Sequence, residues 1–201
     1  MKYVSSLRPL MVSRLEELEK ADIVVGIPCF NNDRTISHVI RMVSDGLSAN
    51  YKDLRPLLVI SDGGSTDDTR EVAKNTSLKP WQEKIVGIYR GTPGKGTALR
   101  MILEAARIVN ARACMVVDSD LRSITNRWVK MLLEPILEND FDFVAPIYTR
   151  YKYDGTITNN IVYNLCQAVY GQKIRQPIGG DFAFSRKLLN HYISQDVWDT
   201  D

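Results

Sequence analysis

The chain has 201 residues and a formal net charge of +2, with 44% hydrophobic and 25% charged residues. This is the composition of an ordinary globular protein with one core, and nothing in it indicates a second domain. The small net charge, and the lack of any stretch that concentrates Lys and Arg, argue against nucleic acid as a partner.

The cysteines and the apolar runs indicate the compartment. Cys29, Cys114 and Cys166 are far apart and mostly embedded in apolar sequence, which is typical of reduced, packed thiols and gives no metal-ligand spacing. No apolar run approaches the length of a membrane span, and the N-terminus lacks the features of a signal peptide. We therefore predict a cytoplasmic protein without a transmembrane segment.

The first predicted unit is a strand, a loop and a helix. A charged, helix-prone segment at 13–20 precedes a buried strand at 22–28, and the loop CFNNDRT carries turn formers and candidates for a helix N-cap. A helix that ends near residue 48 follows, because apolar residues recur at helical spacing: Ile36, Val39, Ile40, Val43 and Leu47.

Two further predicted strands end in glycine-containing loops. The run at 57–60 leads into SDGGSTDDTR, where Asp62 is placed to accept hydrogen bonds from a base or ribose. A helix is expected to begin near Thr66, with Ser65 or Thr66 as its N-cap. The strand at 84–89 leads into RGTPGKGTALR and a helix at 96–109; this loop lacks the full spacing of a P-loop, which we reject.

A short apolar run at 113–117 stops at Asp118 and Asp120, which lie one residue apart. If the backbone stays extended, both carboxylates lie on the same side of the chain. At the C-terminal end of a central strand, such a pair suits Mg²⁺ or Mn²⁺, which would hold the phosphates of a nucleotide. The alternative is that the two aspartates only end the strand and cap the next helix.

The remaining pattern completes an α/β fold. It predicts a helix at 125–138, a strand at 141–148, a helix at 161–170, a short strand at 182–184 and a helix at 186–193. Strand and helix alternate at least four times, which predicts a mostly parallel sheet with helices on both faces, and the unusual polar residues follow the strands. A dinucleotide-binding dehydrogenase is excluded because no G-x-G-x-x-G follows the first strand.

Four motifs occur in order at the strand exits: IPCFNN, SDGGSTDDT, GTPGKGTAL and VVDSDL. Together they resemble the nucleotide-sugar-binding half of GT-A-fold (Rossmann-like) glycosyltransferases. The later segments GTITNNIVYNL and RQPIGGDFAFSRKLL are similar to the retaining glucosyl-3-phosphoglycerate synthases and their mannosyl relatives. The resemblance implies one domain over 1–201, with a nucleotide-sugar-binding half at about 21–121 and an acceptor half at about 122–201.

The resemblance also implies roles for residues on the donor side. Asp120 would be the catalytic carboxylate that binds Mg²⁺ or Mn²⁺, and Asp62 would bind the uracil or guanine ring. The other residues implied to bind the nucleotide sugar are Pro28, Asn31, Gly94, Lys95, Asp118 and Ser119. A divalent ion would stabilise the negative charge of the departing nucleoside diphosphate.

On the acceptor side the resemblance implies a second set. Asp181, in IGGDF, would hold sugar hydroxyls close to the reaction, and Arg150, Thr158 and Arg175 would bind the acceptor, which can be an anion in this family. The chain departs from the family with Thr156 and Asn159, where the phosphoglycerate enzymes carry an arginine and a glutamate. These two positions distinguish this chain from the phosphoglycerate enzymes.

A second departure concerns the end of the sequence. Family members continue with a segment that supplies a further metal ligand, usually histidine, whereas this sequence stops at Asp201. His38 and His191 do not match that ligand. We therefore expect either a truncated chain or a shortened member with impaired catalysis.

The leading hypothesis is a metal-dependent hexosyltransferase that uses UDP-glucose or GDP-mannose, transfers to a small acceptor with retention, and forms a homodimer. One alternative is an inverting polysaccharide or lipid glycosyltransferase with Asp196 or Asp199 as the base. Another is a protein that binds nucleotide sugars without turnover. A sugar-phosphate nucleotidyltransferase would need a glycine-rich, arginine-containing loop in place of CFNND.

Overall fold

The computed structural model describes residues 5–149, 151, 153–195 and 197–198. The strands are β1 (Ile23–Cys29), β2 (Pro56–Asp62), β3 (Glu83–Ile88), β4 (Ala113–Val116), β5 (Phe143–Val144) and β6 (Phe182–Ser185). The α-helices are α1 (Pro9–Glu17), α2 (Ile36–Asn50), α3 (Thr69–Asn75), α4 (Lys95–Ile108), α5 (Arg127–Glu138), α6 (Tyr163–Tyr170) and α7 (Arg186–Ile193), and a π-helical segment, Ile157–Val162, leads into α6.

The strands form one sheet in the order β3-β2-β1-β4-β6-β5. Strands β1 to β4 are parallel, whereas β6 runs antiparallel to both β4 and β5. The predicted α/β fold with a mostly parallel sheet is confirmed. The carboxyl ends of β1, β2 and β4 therefore meet at one edge, and the antiparallel β6 begins at that same edge.

Helices cover both faces of the sheet, as predicted. Helices α1, α4 and α7 pack on one face, and α2, α3 and α5 pack on the other. Successive residues of β1 alternate between the two cores: Val24 lies in the first, while Ile23 and Val25 lie in the second. Because both faces are covered, β1, β2 and β4 are buried along their whole length and hold the site edge rigidly.

Gly26 shows how closely α4 approaches β1. A Cβ atom at this position would overlap the side chain of Ile102 on α4. We expect Gly26→Ala to lower the free energy of unfolding by about 1–3 kcal/mol through overpacking, measured by urea denaturation. Gly96→Ala is the matched control, because a Cβ there would meet nothing within 4 Å; an unchanged or raised stability of Gly26→Ala would contradict this packing.

Three predicted elements differ from the structure by three residues or more, and the first is the helix-prone segment predicted at 13–20, which is observed as α1, Pro9–Glu17. The strand predicted at 141–148 is wrong in extent, since only Phe143–Val144 pairs with β6; it lies at the sheet edge, and Pro146 lacks the N–H needed to continue the ladder. The helix predicted from Thr66 begins at Thr69 instead, because Ser65 donates its hydroxyl to Asp62 while the carboxylate of Asp67 accepts the backbone N–H of Thr69.

Two further predictions can be compared with the fold. Cys29, Cys114 and Cys166 are free thiols, and the first two are buried, as expected. Over the part of the chain that the structure describes, no helix has the length and apolar character needed to cross a bilayer.

Candidate active site

A cleft of about 570 Å³ opens at the carboxyl ends of β1 and β4 and against the start of α4. Phe30, Gly63 and Tyr89 contribute to its wall. The structure brings together in it most of the residues predicted to bind the donor or the metal: Pro28, Gly94, Lys95, Asp118, Ser119 and Asp120. These residues come from the end of β1, the start of α4 and the segment after β4, so the fold assembles the cleft from segments far apart in sequence.

Lys95 and Asp118, which both line this cleft, form an ion pair. The Lys95 ammonium lies 2.5 Å from the Asp118 carboxylate, and the two side chains are 49% and 30% exposed. Lys95 is the first residue of α4, so the positive end of the helix dipole faces the same space. A cation and a helix N-terminus beside a strand-end carboxylate form an environment suited to a diphosphate and its metal ion.

Asp120 lies at the rim of the cleft with an exposed side chain. Its carboxylate makes no hydrogen bond or ion pair with any described residue, and no group of three or more His, Cys, Asp and Glu side chains within the described ranges could hold a metal. The chain therefore offers the two carboxylates of Asp118 and Asp120 as hard oxygen ligands. These fit Mg²⁺ or Mn²⁺ if substrate phosphate oxygens and water complete the coordination.

Asn32 is a site residue that the sequence reasoning missed. Its side-chain oxygen accepts hydrogen bonds from the Ser119 hydroxyl at 2.6 Å and from the backbone N–H of Phe30 at 3.1 Å, and its own backbone N–H donates to the Thr69 hydroxyl at 2.6 Å. Asn32 thus ties the loop after β1 to the Asp118–Asp120 loop. The double asparagine in CFNND was the available signal, but it did not indicate which asparagine faces the cleft.

Asp62 and Asn31 do not line the cleft. Asp62 is fully buried, and its carboxylate accepts the N–H groups of Gly64 and Ser65, both at 2.9 Å. The Asn31 side chain accepts the N–H of Thr66 at 2.9 Å. Both residues therefore shape the SDGGST loop in this structure, and their predicted contacts with the donor stay predictions.

Asp181 reaches the cleft's border because β6 runs antiparallel beside β4. One of its oxygens accepts the backbone N–H of Asp118 at 3.0 Å, and the other accepts the Tyr148 hydroxyl. Burial, and secondarily the neighbouring charge of Asp118, raise the pKa of the Asp181 carboxyl, although these hydrogen bonds oppose the shift. Gly180 permits this close approach, since a Cβ there would overlap the Asp118 carboxylate.

A second cleft of about 350 Å³ lies on the other side of Asp118. Asp181, Gly180, Tyr148 and Trp128 line it, and the Trp128 and Tyr148 rings pack with centroids 5.8 Å apart. Asp118 lines both clefts, so a sugar held between Asp118 and Asp181 would face both the diphosphate site and an adjoining space.

The Tyr148 hydroxyl is expected to matter through Asp181. Its hydrogen bond stabilises the charged carboxylate, so Tyr148→Phe should raise the pKa of Asp181 further. If the charged form is required for transfer, the acid limb of the pH profile of kcat/KM should move to higher pH, and kcat should fall by about 10-fold. Tyr170→Phe, at the exposed end of α6, is the control. An unmoved acid limb in Tyr148→Phe would contradict this role.

Of the predicted acceptor residues, Thr158 and Arg175 line neither cleft. Thr158 is buried within the π-helical segment, and the Arg175 guanidinium lies 5.6 Å from the centre of the Tyr163 ring. Arg150 lies outside the described residues, as do Asp196 and Asp199, the alternative bases. Both Thr158 and Arg175 were assigned from a loose motif match, which carries no information on where the loop folds.

Comparison with known proteins gives consistent matches. The model of the family described as Glycosyl transferase family 2 matches residues 24–198. Glucosyl-3-phosphoglycerate synthase from Mycolicibacterium paratuberculosis is 30% identical over 194 residues, and the match covers 86% of this chain and 56% of that protein. The synthase from Petrotoga mobilis is 27% identical over 189 residues, with 88% and 57% covered. This chain therefore spans a little over half the length of these relatives.

Solved structures that resemble this fold include the same kind of synthase. The crystal structure of glucosyl-3-phosphoglycerate synthase from Mycobacterium tuberculosis, in complex with Mn²⁺, UDP-glucose and phosphoglyceric acid, superposes with a TM-score of 0.66. Its sequence identity to this chain is 27%, and the match covers 92% of this chain and 64% of that one. The similarity extends over the sheet and helices that build both clefts.

Proposed function

Because the chain belongs to glycosyl transferase family 2, we propose that it transfers a hexose from a UDP-glucose-type donor to a small acceptor alcohol, with Mn²⁺ or Mg²⁺ and with retention. The observation that carries this proposal is the shared border of the two clefts, where Lys95, Asp118 and Asp181 converge. Similarity to synthases that bind Mn²⁺ and UDP-glucose supports the metal and the donor.

The proposed reaction exchanges one bond to the anomeric carbon for another. The bond between that carbon and the β-phosphate oxygen breaks, and its electron pair leaves with the nucleoside diphosphate. The acceptor oxygen forms the new bond to the carbon, and its proton passes to the departing diphosphate. The products are the glycoside and UDP, so the donor's hexosyl group and the acceptor's proton are both accounted for.

Each cleft residue has a role in this scheme. Lys95 would leave its ion pair with Asp118 to bind the diphosphate, and its charge would stabilise the negative charge that develops there. Asp118 and Asp120 would hold the metal ion, which when bound supplies Lewis-acid stabilisation of the same phosphates. Asp181, already held by Tyr148 and the Asp118 N–H, would accept hydrogen bonds from hydroxyls of the hexose.

The test is proton NMR of the chain incubated with UDP-glucose, Mn²⁺ and an alcohol acceptor. We expect release of UDP and a product whose anomeric proton has the coupling of the donor's own α configuration. A β-configured product would overturn retention and favour the inverting alternative. Binding of UDP-glucose with no release of UDP would overturn catalysis and favour a nucleotide-sugar-binding protein.

A further inference from the structure

A third cavity, of about 300 Å³, lies beside Asp181 on the face of the sheet that carries α4 and α7. We call it the aromatic cavity, after the five aromatic residues that contribute to its lining: Phe143, Phe182, Phe184, Tyr192 and Trp198. Phe182 packs against Phe143 and Phe184 with ring centroids 6.2 and 5.8 Å away. The reaction proposed above gives this cavity no role.

The wall of the aromatic cavity is fixed by the fold. The indole N–H of Trp198 donates to the backbone carbonyl of Tyr192 at 3.0 Å, and the Tyr192 ring meets Phe184 edge to face with centroids 6.2 Å apart. Phe184 is fully buried in the core beneath. Phe143 and Ile178 are 46% and 50% exposed, so the cavity is open to an incoming molecule on their side.

The aromatic cavity adjoins the two clefts described above at two places. Asp181 lines both this cavity and the second cleft, and it bonds the backbone of Asp118 in the donor cleft. On α4, Ala98 lines the donor cleft and the next residue, Leu99, lines the aromatic cavity. A molecule seated in the cavity would therefore have one end at the carboxylate that we propose to hold the hexose.

The charges at this position select the kind of molecule. Among the described residues that line the aromatic cavity and the second cleft there is no Lys or Arg, and the charged ones are Asp118 and Asp181. The nearest described cation, Lys95, is paired with Asp118 and is assigned above to the diphosphate. An anionic acceptor would therefore meet the negative charge of Asp181, whereas a neutral alcohol could donate its hydroxyl to that carboxylate. The apolar walls favour an apolar group, because covering it removes its surface from water.

We propose that the aromatic cavity binds the aryl or short alkyl group of a neutral acceptor alcohol, whose hydroxyl then lies at Asp181. This inference rests on the proposed transfer reaction and names the class of its acceptor. It departs from the relatives, one of whose structures holds phosphoglyceric acid, an anion. The position of Arg175, which lies over the Tyr163 ring and lines neither the aromatic cavity nor the second cleft, agrees with this departure.

The three tryptophans allow binding in the cavity to be observed without any transfer. Trp198 lines the aromatic cavity, Trp128 lines the second cleft, and Trp81 lies at the opposite edge of the sheet beside Leu57. We would label the chain with 5-fluorotryptophan, assign each signal by a Trp→Phe variant, and titrate it with 4-phenyl-1-butanol and separately with 3-phosphoglycerate. We expect a saturable shift of the Trp198 signal with the alcohol alone, while Trp81 stays constant.

A matched pair of variants locates the binding. Ala145 lines the aromatic cavity, so the larger side chain of Ala145→Phe should fill it and lower the affinity for the alcohol by about tenfold or more. Ala168, exposed on α6, is the control, and Ala168→Phe should bind the alcohol as the wild type does. Three results would each overturn the inference: no shift of the Trp198 signal, a shift that keeps the same affinity in Ala145→Phe, or an equal response to 3-phosphoglycerate.

The same samples separate this inference from the proposed function. UDP release from UDP-glucose with no response of Trp198 would leave the transferase standing and overturn the acceptor class. A saturable Trp198 shift that Ala145→Phe removes, without UDP release, would support the cavity and overturn the transfer reaction. With both in place, UDP release should rise with 4-phenyl-1-butanol concentration, and this increase should be lost in Ala145→Phe.

Discussion

Asp120→Asn is expected to remove the Mn²⁺-dependent part of nucleotide binding and to lower kcat/KM by about 10²–10³-fold. The amide keeps the size of the side chain but removes the negative charge that a divalent cation requires. Asp120 is exposed and its carboxylate has no described partner, so the change should leave the fold intact. Titration calorimetry with UDP, with and without Mn²⁺, measures the effect directly.

Asp53→Asn is the matched control for this substitution. Asp53 is also exposed, but it lies in the turn before β2, at the opposite edge of the sheet from the clefts. It should bind UDP with the wild-type dependence on Mn²⁺. If Asp120→Asn kept that dependence in full, the Asp118–Asp120 segment would be a strand terminus and not part of a metal site.

Gly180→Ala is expected to cause a loss of UDP binding of about tenfold or more, because the new methyl group would displace the Asp118 carboxylate from its present position. That carboxylate is held by Lys95 at 2.5 Å, so its displacement would disturb the cation as well as the proposed metal ligand. The expected change in unfolding free energy is smaller, since Gly180 lies in a loop outside the two cores. Calorimetry and urea denaturation of the same variant separate the two effects.

The neighbouring glycine provides the control. At Gly179 a new Cβ would lie 3.3 Å from the Gln176 side-chain nitrogen, which can move aside. Gly179→Ala should therefore bind UDP as the wild type does. Equal binding by both variants would show that Asp118 need not occupy its present position for the donor to bind.

The part of the site that follows parallel strands could be predicted from the sequence. Buried runs that end in polar residues place those residues at one sheet edge, so the pattern alone predicted Asp118 and Asp120 there, whereas Pro28 and Lys95 were assigned from the family resemblance. The same logic placed Asp62 there, but a carboxylate two residues ahead of free N–H groups can bond its own loop, and Asp62 does so. Local pattern alone does not distinguish these outcomes.

The acceptor side depends on tertiary pairing that the pattern does not encode. Only the antiparallel insertion of β6 beside β4 places Asp181 against Asp118, and Tyr148 reaches Asp181 from an irregular segment after β5. The aromatic cavity draws its walls from α4, β5, β6 and the residues around α7. Its aromatic residues have no shared spacing in the sequence, so no periodicity could have indicated them.

The most direct test of the account is calorimetric titration of the unmodified chain with UDP and with GDP, each in the presence and absence of Mn²⁺. The cleft that contains Lys95, Asp118 and Asp120 predicts one-to-one binding of UDP that strengthens by about tenfold or more with Mn²⁺. Similarity to relatives whose structures hold UDP-glucose also predicts that GDP binds more weakly than UDP. If neither nucleotide bound, or if UDP binding were unchanged by Mn²⁺, the result would contradict a metal-dependent nucleotide-sugar site in this cleft.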